Sequence, residues 1–201
     1  MALGRPRAFD LDKALDRALN VFWRKGFEGA SLPDLTRAMG INRPSLYAAF
    51  GNKEELFRKA LDRYEAGPAA YVSRALQAPT ARAVAEALLY GAIEMQSDRR
   101  HPAGCLMVHG ALACGDEAGS VRKELRSRRQ AGLAALQARF ERAQQEHDLP
   151  ANCDAAGLAR FITAVIYGMA VQAATGATCD EMRSVADRAM QAWPGAARDS
   201  K

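Results

Sequence analysis

Val, Ile and Thr are scarce in this 201-residue chain, numbering 17 together against 42 Ala. Ala is the best helix former and β-branched residues favour strands, so the ratio excludes an all-β fold and predicts an all-α one. Long apolar runs are missing too. The longest uncharged stretch, Phe161 to Cys179, is broken by Thr163, Gln172, Thr175, Gly176 and Thr178. It falls short of the ~20 mostly apolar residues of a membrane span and reads as a buried helix. The four cysteines, Cys105, Cys114, Cys153 and Cys179, form no CxxC pair, and the first residues lack the apolar run of a secretory signal. Together these features predict the reducing cytoplasm. Nor is one sign of charge in large excess: 28 Lys and Arg against 23 Asp and Glu leave +5. That surplus is compatible with a polyanionic partner without requiring one.

What the chain does carry is a succession of helix caps and stops. Asp10 can cap a helix with Leu15, Ala18, Leu19 and Phe22 on one face, and Gly26 supplies a left-handed stop. Ser31 opens a second helix, with Pro33 in its first turn, Asp34 at the acidic position of a capping box, and Leu32, Leu35, Ala38 and Met39 facing inward. Gly40 ends it. Asn42 then caps a third helix with Pro44 in its first turn, while Ile41 and Leu46 hold the spacing of a hydrophobic staple. Two short helices joined this tightly must cross steeply. At about 100° per residue Leu46, Ala49 and Phe50 share one face, which leaves Pro44, Tyr47 and Ala48 outward and Arg43 and Ser45 on the flanks. Asn52 and Glu55 form the capping box of a fourth helix, whose stripe is Phe57, Ala60, Leu61 and Tyr64 before Gly67-Pro68 breaks it. The linker is expected at residues 66–69. This is a helix-turn-helix arrangement, in which the second helix of the motif enters the major groove.

The ordered series Gly4-Arg5-Pro6-Arg7, Ala30-Ser31-Leu32-Pro33-Asp34-Leu35, Met39-Gly40-Ile41-Asn42-Arg43-Pro44-Ser45-Leu46-Tyr47 and Phe50-Gly51-Asn52-Lys53-Glu54-Glu55-Leu56-Phe57 resembles the DNA-binding domain of the TetR family of bacterial transcriptional repressors. The resemblance implies that Arg43, Pro44, Ser45 and Tyr47 approach bases or phosphates and that Lys53 contacts the DNA backbone. Chemistry agrees, since Arg can pair with guanine in bidentate fashion, a Tyr hydroxyl is a neutral phosphate donor, and Lys beside free helix-start amides makes a phosphate cradle. Ser31 and Asn42 are either further contacts or caps alone, and Tyr47 could instead pack at the domain edge. Arg5 and Arg7, flanking Pro6, are either a disordered tail or an arm that orders in the minor groove. The resemblance also implies the larger plan. A three-helix DNA-binding domain at residues 1–66 precedes a helical ligand-binding and dimerisation domain at 67–201, with about nine helices in all. The expected protein is a homodimeric repressor on a palindromic double-stranded operator, released by a small-molecule effector or by modification of a cysteine, with no cofactor, metal or enzymatic activity.

Five more helices are predicted, at residues 80–97, 104–113, 117–147, 154–175 and 180–193, without a Gly-rich phosphate loop or paired catalytic motif. In the fourth of these Leu158, Phe161, Ile162, Val165, Ile166 and Met169 make one stripe, and Ala164 and Gly168 put small residues on another side. The dimer interface is expected at Phe161, Ala164, Val165, Gly168, Val185 and Ala189, although an intrachain core would show the same pattern. Apolar candidates for the effector cavity are Leu88, Leu89, Ile93, Met107 and Phe140, all positions an ordinary core would also fill. The basic run Arg122, Lys123, Arg126, Arg128 and Arg129 reads as a solvated face. Cys105 stands at a helix start after Arg99, Arg100 and His101, where dipole and cations favour the thiolate. Cys105 and His109 therefore join the effector candidates. They are also the pair a cysteine-dependent enzyme would use and, with His101, a possible metal set. An architectural DNA-binding protein without effector is the other alternative. The fourth helix alone is predicted to reach both the DNA and the second domain, so it is expected to carry the signal.

Overall fold

A computed structural model of the chain describes residues 9–112 and 119–194. Its first four helices begin where local chemistry places them. α1 (Leu11–Gly29) starts behind Asp10, whose side chain accepts from the Lys13 amide, and leaves helical geometry at Gly26 with φ 68° before a last short turn. α2 (Leu32–Met39) carries the complete Ser31–Asp34 capping box and ends at left-handed Gly40. α3 (Arg43–Phe50) is capped by Asn42, and α4 (Lys53–Ala66) by the reciprocal Asn52–Glu55 pair. Their apolar faces meet in one core in which Phe22, Phe27 and Phe57 pack as a triad, with Phe57 edge-on to the other two at 5.0 and 5.3 Å.

Beyond Gly67 the chain does not run on as a linker. It makes a 3-10 turn (Pro68–Ala70) and then a short helix, α5 (Tyr71–Ala75). α6 (Ala81–Ser97), α7 (Leu106–Leu112), α8 (Gly119–Gln145), α9 (Ala155–Ala174) and α10 (Cys179–Gln191) follow, so the described residues hold ten α-helices and no strand. α5 is the additional one; at five residues it is too short to show a periodic pattern, and packing on α6 sustains it. A second core joins α6, α8, α9 and α10. α8 adds a buried cation, Arg139, whose Nη2 donates to the carbonyls of Ala78 and Pro79 and so holds the α5–α6 connection.

α9 has the length and, with a mean hydropathy of 1.3, the composition of a membrane-spanning helix. Here one side of it, Ala155, Ala159, Ile162, Met169 and Ala173, is packed into the second core. The other side, with Phe161 and Val171, is exposed in the single chain.

The two cores are not separate. Leu106 of α7 and Val121 and Leu125 of α8 are buried in the first one. At the junction the Gly104 carbonyl accepts from Trp23 Nε1 at 3.3 Å and from Gln96 Nε2 at 3.0 Å, while the Gly104 amide donates to Gln96 Oε1 at 2.7 Å. Trp23 is edge-on to Tyr64 at 4.7 Å and stacked with His101 at 5.6 Å. Gly104 has φ +91°, and a Cβ there would collide with the His109 ring. Gly104→Ala is therefore expected to destabilise the fold by about 2–4 kcal/mol, combining left-handed strain with overpacking. Urea unfolding followed by Trp23 fluorescence in a Trp193→Phe background measures it. Adding His109→Ala should recover the overpacking part and leave the dihedral part.

Candidate nucleic-acid interface and the cavity behind it

α3 divides sharply between its two sides. Leu46 and Phe50 are buried, whereas Arg43, Pro44 and Ala48 are exposed and Tyr47 keeps 47% of its surface accessible. An aromatic left outside beside exposed Arg43 and Pro44, while Leu46 and Phe50 are sealed beneath, suits a surface that meets another molecule. The Asn42 side-chain oxygen accepts the Ser45 amide at 2.9 Å, so the cap uses that atom, and Ser45 is half-buried. Ser31 is more fully committed. Its hydroxyl accepts from the Asp34 amide and donates to the Asp34 carboxylate at 2.8 Å, which capping alone explains. Lys25 at 2.8 Å and then Ser31 hold the Asp34 pKa down to about 2. Lys53, at the first position of α4, lies with its ammonium 4.5 Å from the centre of the Phe27 ring. Burial lowers its pKa and Glu28 opposes the change. Arg5 and Arg7 lie outside the described residues.

α4 runs from Lys53 to the interior of the protein, 14 residues or roughly 21 Å at about 1.5 Å each. Two ionic fastenings hold it. Arg63 meets Asp16 of α1 with Nε at 2.7 Å, and Arg128 of α8 reaches Asp62 at 2.7 Å and Glu65 at 2.8 Å while also pairing with Glu124 at 2.7 Å. At its far end the Tyr64 hydroxyl donates to Cys105 Sγ at 3.3 Å. Tyr64 and Cys105 both line a cavity of about 440 Å³, together with Tyr71, Leu88, Met107, Leu136, Ile166, Tyr167 and Arg129.

Of the residues proposed for an effector, Leu88, Cys105 and Met107 line this cavity. Leu89, Ile93 and Phe140 are packed in the second core, and His109 lies over Gly104. Tyr71, Tyr167 and Arg129 were missed. Tyr71 sits on the unrecognised α5, whereas Arg129 had a visible signal: it falls four residues from both Leu125 and Leu133, on the apolar stripe of α8. The basic run is thus not one solvated face. Arg122, Lys123 and Arg126 are exposed, while Arg128 and Arg129 are turned partly inward.

The surroundings of Cys105 also correct the expectation of a favoured thiolate. Burial pushes its thiol pKa up, against the smaller opposing effect of the Tyr64 hydrogen bond. Of the residues just before it, Arg100 pairs with Asp98 at 2.6 Å and His101 stacks on Trp23. Burial lowers the His109 pKa. No hydrogen bond joins the thiol to the imidazole, and no cluster of three metal-ligating side chains occurs among the described residues. Cys114 lies outside them.

On α9, Phe161, Ala164, Gly168 and Val171 are exposed at spacings of three, four and three, giving one bare apolar stripe. Val165 and Val185 are half-buried against the second core, and Ala189 is buried within it at 5% exposure. Ala189 is therefore an internal residue of its own chain, because α10 turns its apolar side to α6 and α9.

Residues 14–60 match the family model of the bacterial regulatory proteins of the tetR family, and residues 83–193 that of the tetracyclin repressor-like C-terminal domain. The chain is 36% identical to the HTH-type transcriptional repressor ComR of Escherichia coli strain K12, over 95% of its own length and 92% of that protein. It is 30% identical to the repressor BdcR of the same strain, over 94% and 91%. The solved structure of the TetR family transcriptional regulator CifR, a cysteine mutant complexed with 26-bp double-strand operator DNA, is similar with a TM-score of 0.91 and 42% identity. It covers 95% of this chain and 100% of that one. The fold is that of a helix-turn-helix transcriptional regulator. The chain belongs to the TetR family of bacterial regulatory proteins.

Two results are expected at this site. Lys53→Ala should weaken binding to all DNA sequences alike and lower the salt slope by about one unit, whereas Arg43→Ala should relax preference at one position per half-site at a cost of ~1–3 kcal/mol. Fluorescence anisotropy on a series of duplexes at several salt concentrations separates the two. As for Cys105, a raised thiol pKa means little thiolate at pH 7, so iodoacetamide should label it more slowly than free cysteine, with a rate that climbs as pH rises past the ordinary thiol range. Tyr64→Phe, which removes the bond favouring the thiolate, should move that profile to still higher pH, as read by peptide mass spectrometry.

Proposed function

We propose that this protein is a homodimeric cytoplasmic repressor that binds a palindromic operator through α3 of each protomer and releases it when a small molecule fills the cavity behind α4. The observation that carries the DNA-binding reading is the solvent face of α3, where Arg43, Pro44 and Tyr47 stand clear of a sealed core. Its counterpart in a second protomer would meet the next half-site, as palindromic operators require. The bare α9 stripe supports the two-fold partner: without a covering surface, Phe161 and Val171 stay in water at 42% and 41% exposure.

Release needs a ligand that prefers a conformation whose reading heads no longer match the half-sites, since equal affinity for both conformations shifts nothing. α4 is suited to convert occupancy into head position, with Lys53 at the DNA end and Tyr64 in the cavity wall. A covalent route is the second reading, favoured by Cys105 Sγ lying on the same wall in contact with Tyr64. An adduct there would crowd the α4 end directly. Loss of electrophile-driven release in Cys105→Ser would support that route, and equal release in both proteins would remove it.

Selection from a random duplex pool should enrich palindromes with half-sites one helical turn, or a multiple of it, apart. Gly168 has open space around it, so Gly168→Arg leaves the monomer fold intact and places a charge in the proposed interface. Analytical ultracentrifugation should show a dimeric wild type and a monomeric variant, with palindrome affinity falling alongside. A variant that stays dimeric, or a pool that yields no symmetric site, would sink the reading.

A further inference from the structure

The cavity wall is mainly apolar and aromatic, yet two guanidinium groups also line it, and they are used in different ways. Arg128 is committed to three carboxylates. Its Nε, Nη1 and Nη2 each meet a carboxylate, from Glu124, Glu65 and Asp62 respectively. Glu65, the acidic residue of the wall, is thereby engaged by Arg128 at 2.8 Å. Arg129 is half-buried and donates Nη1 to the Met107 carbonyl at 3.2 Å. Among the described residues no carboxylate pairs with it. One neutral acceptor leaves most of its five N–H donors unused.

The phenols and the thiol that line the cavity with Arg129 offer it no counter-charge. Burial raises the pKa of Tyr64, Tyr71 and Tyr167, so all three phenols stay neutral, and the Cys105 thiol is raised as well. Of these, Cys105 and Tyr167 are close enough for the Arg129 charge to favour their anions. A partly desolvated cation with no carboxylate paired to it is costly, and an anion brought in from solution would relieve that cost. A planar two-oxygen group matches the guanidinium fork best. The rest of such a ligand would meet ring faces and aliphatic carbon in a space of about 440 Å³, within the ordinary size for a small-molecule site.

We propose that this cavity takes an organic monoanion, its carboxylate on Arg129 and its aromatic or alicyclic body among Tyr71, Leu88, Ile166 and Tyr167. This rests on the reading of the cavity as the effector site. Arg129 is the specificity-determining residue, and Arg128 is the fastening that keeps α4 against α8.

Isothermal titration calorimetry on the full chain tests it with three probes of one shape: 2-naphthylacetate, 2-naphthylacetamide and 2-naphthylethylamine. The acid should bind at least 10-fold more tightly than the amide, and the amine more weakly still. Acid affinity should fall several-fold between 50 and 500 mM salt while amide affinity holds. Arg129→Met should erase the preference for acid over amide. The salt comparison needs the wild type alone, so it decides the matter even if that variant does not fold. An amide or amine that binds as tightly as the acid, a preference that survives Arg129→Met, or no acid binding at millimolar concentration would overturn the proposal. Operator anisotropy in the same samples separates this from the repressor reading. Failure of the ligand-free protein to bind any selected duplex would overturn that reading and leave the calorimetric result standing. Acid that binds without changing operator affinity would overturn the effector role assigned to the site.

Discussion

The Tyr64 side chain has to be satisfied in two places at once, and much of the molecule is arranged around that need. Its ring is buried in the core of the reading head, edge-on to Trp23, while its hydroxyl reaches Cys105 at the wall of the cavity. A buried phenol needs a hydrogen-bond partner, and here the partner belongs to the α6–α7 connection. Trp23 has the same requirement and meets it at the Gly104 carbonyl, one residue before Cys105. The positive φ of Gly104 is what lets this connection present both a carbonyl and a thiol to the reading head. The two cores are joined by directional bonds as well as by contact of apolar surface.

That joint underlies the coupling role proposed for α4. Its first turn is set by the Asn52–Glu55 capping box, its middle is fastened to α1 through Arg63, and its far end is fastened to α8 through Arg128. The Arg63 and Arg128 pairs are partly exposed and individually weak, so they can be exchanged at modest cost, whereas the packed ring of Tyr64 cannot move without displacing its neighbours. A helix that is firmly packed at one end and held along its side by exchangeable ion pairs can tilt as a rigid body. In the proposed dimer a small tilt changes the separation of the two heads. The bare stripe on α9 matters for the same reason, since a lone protomer has no head-to-head distance to alter.

The helix boundaries of the reading head and the direction in which α3 faces were legible from the amino-acid sequence. Ser31 with Asp34, Asn42 ahead of Pro44, and Asn52 with Glu55 are interactions over three residues, and Gly26 and Gly40 act through their own dihedral angles. Nothing distant is needed to decide them. The all-α class and the apolar stripe of α9 were legible for a similar reason, since helical periodicity is local. Tertiary structure alone decided the rest. Cys105 and Tyr64 are 41 residues apart and Trp23 and Gly104 are 81 apart, so no window of sequence shows that they meet. That meeting buries the thiol and reverses the sign expected for its pKa, because burial outweighs a helix start and its neighbouring arginines. It also separates Arg129 from the solvated cations beside it, and puts Leu88 but not Leu89 on the cavity wall. Short-range capping and periodicity determined the elements other than α5. Which side chains share a dry space, and hence which charges and thiols are available for chemistry, depended on long-range packing that those local rules do not specify.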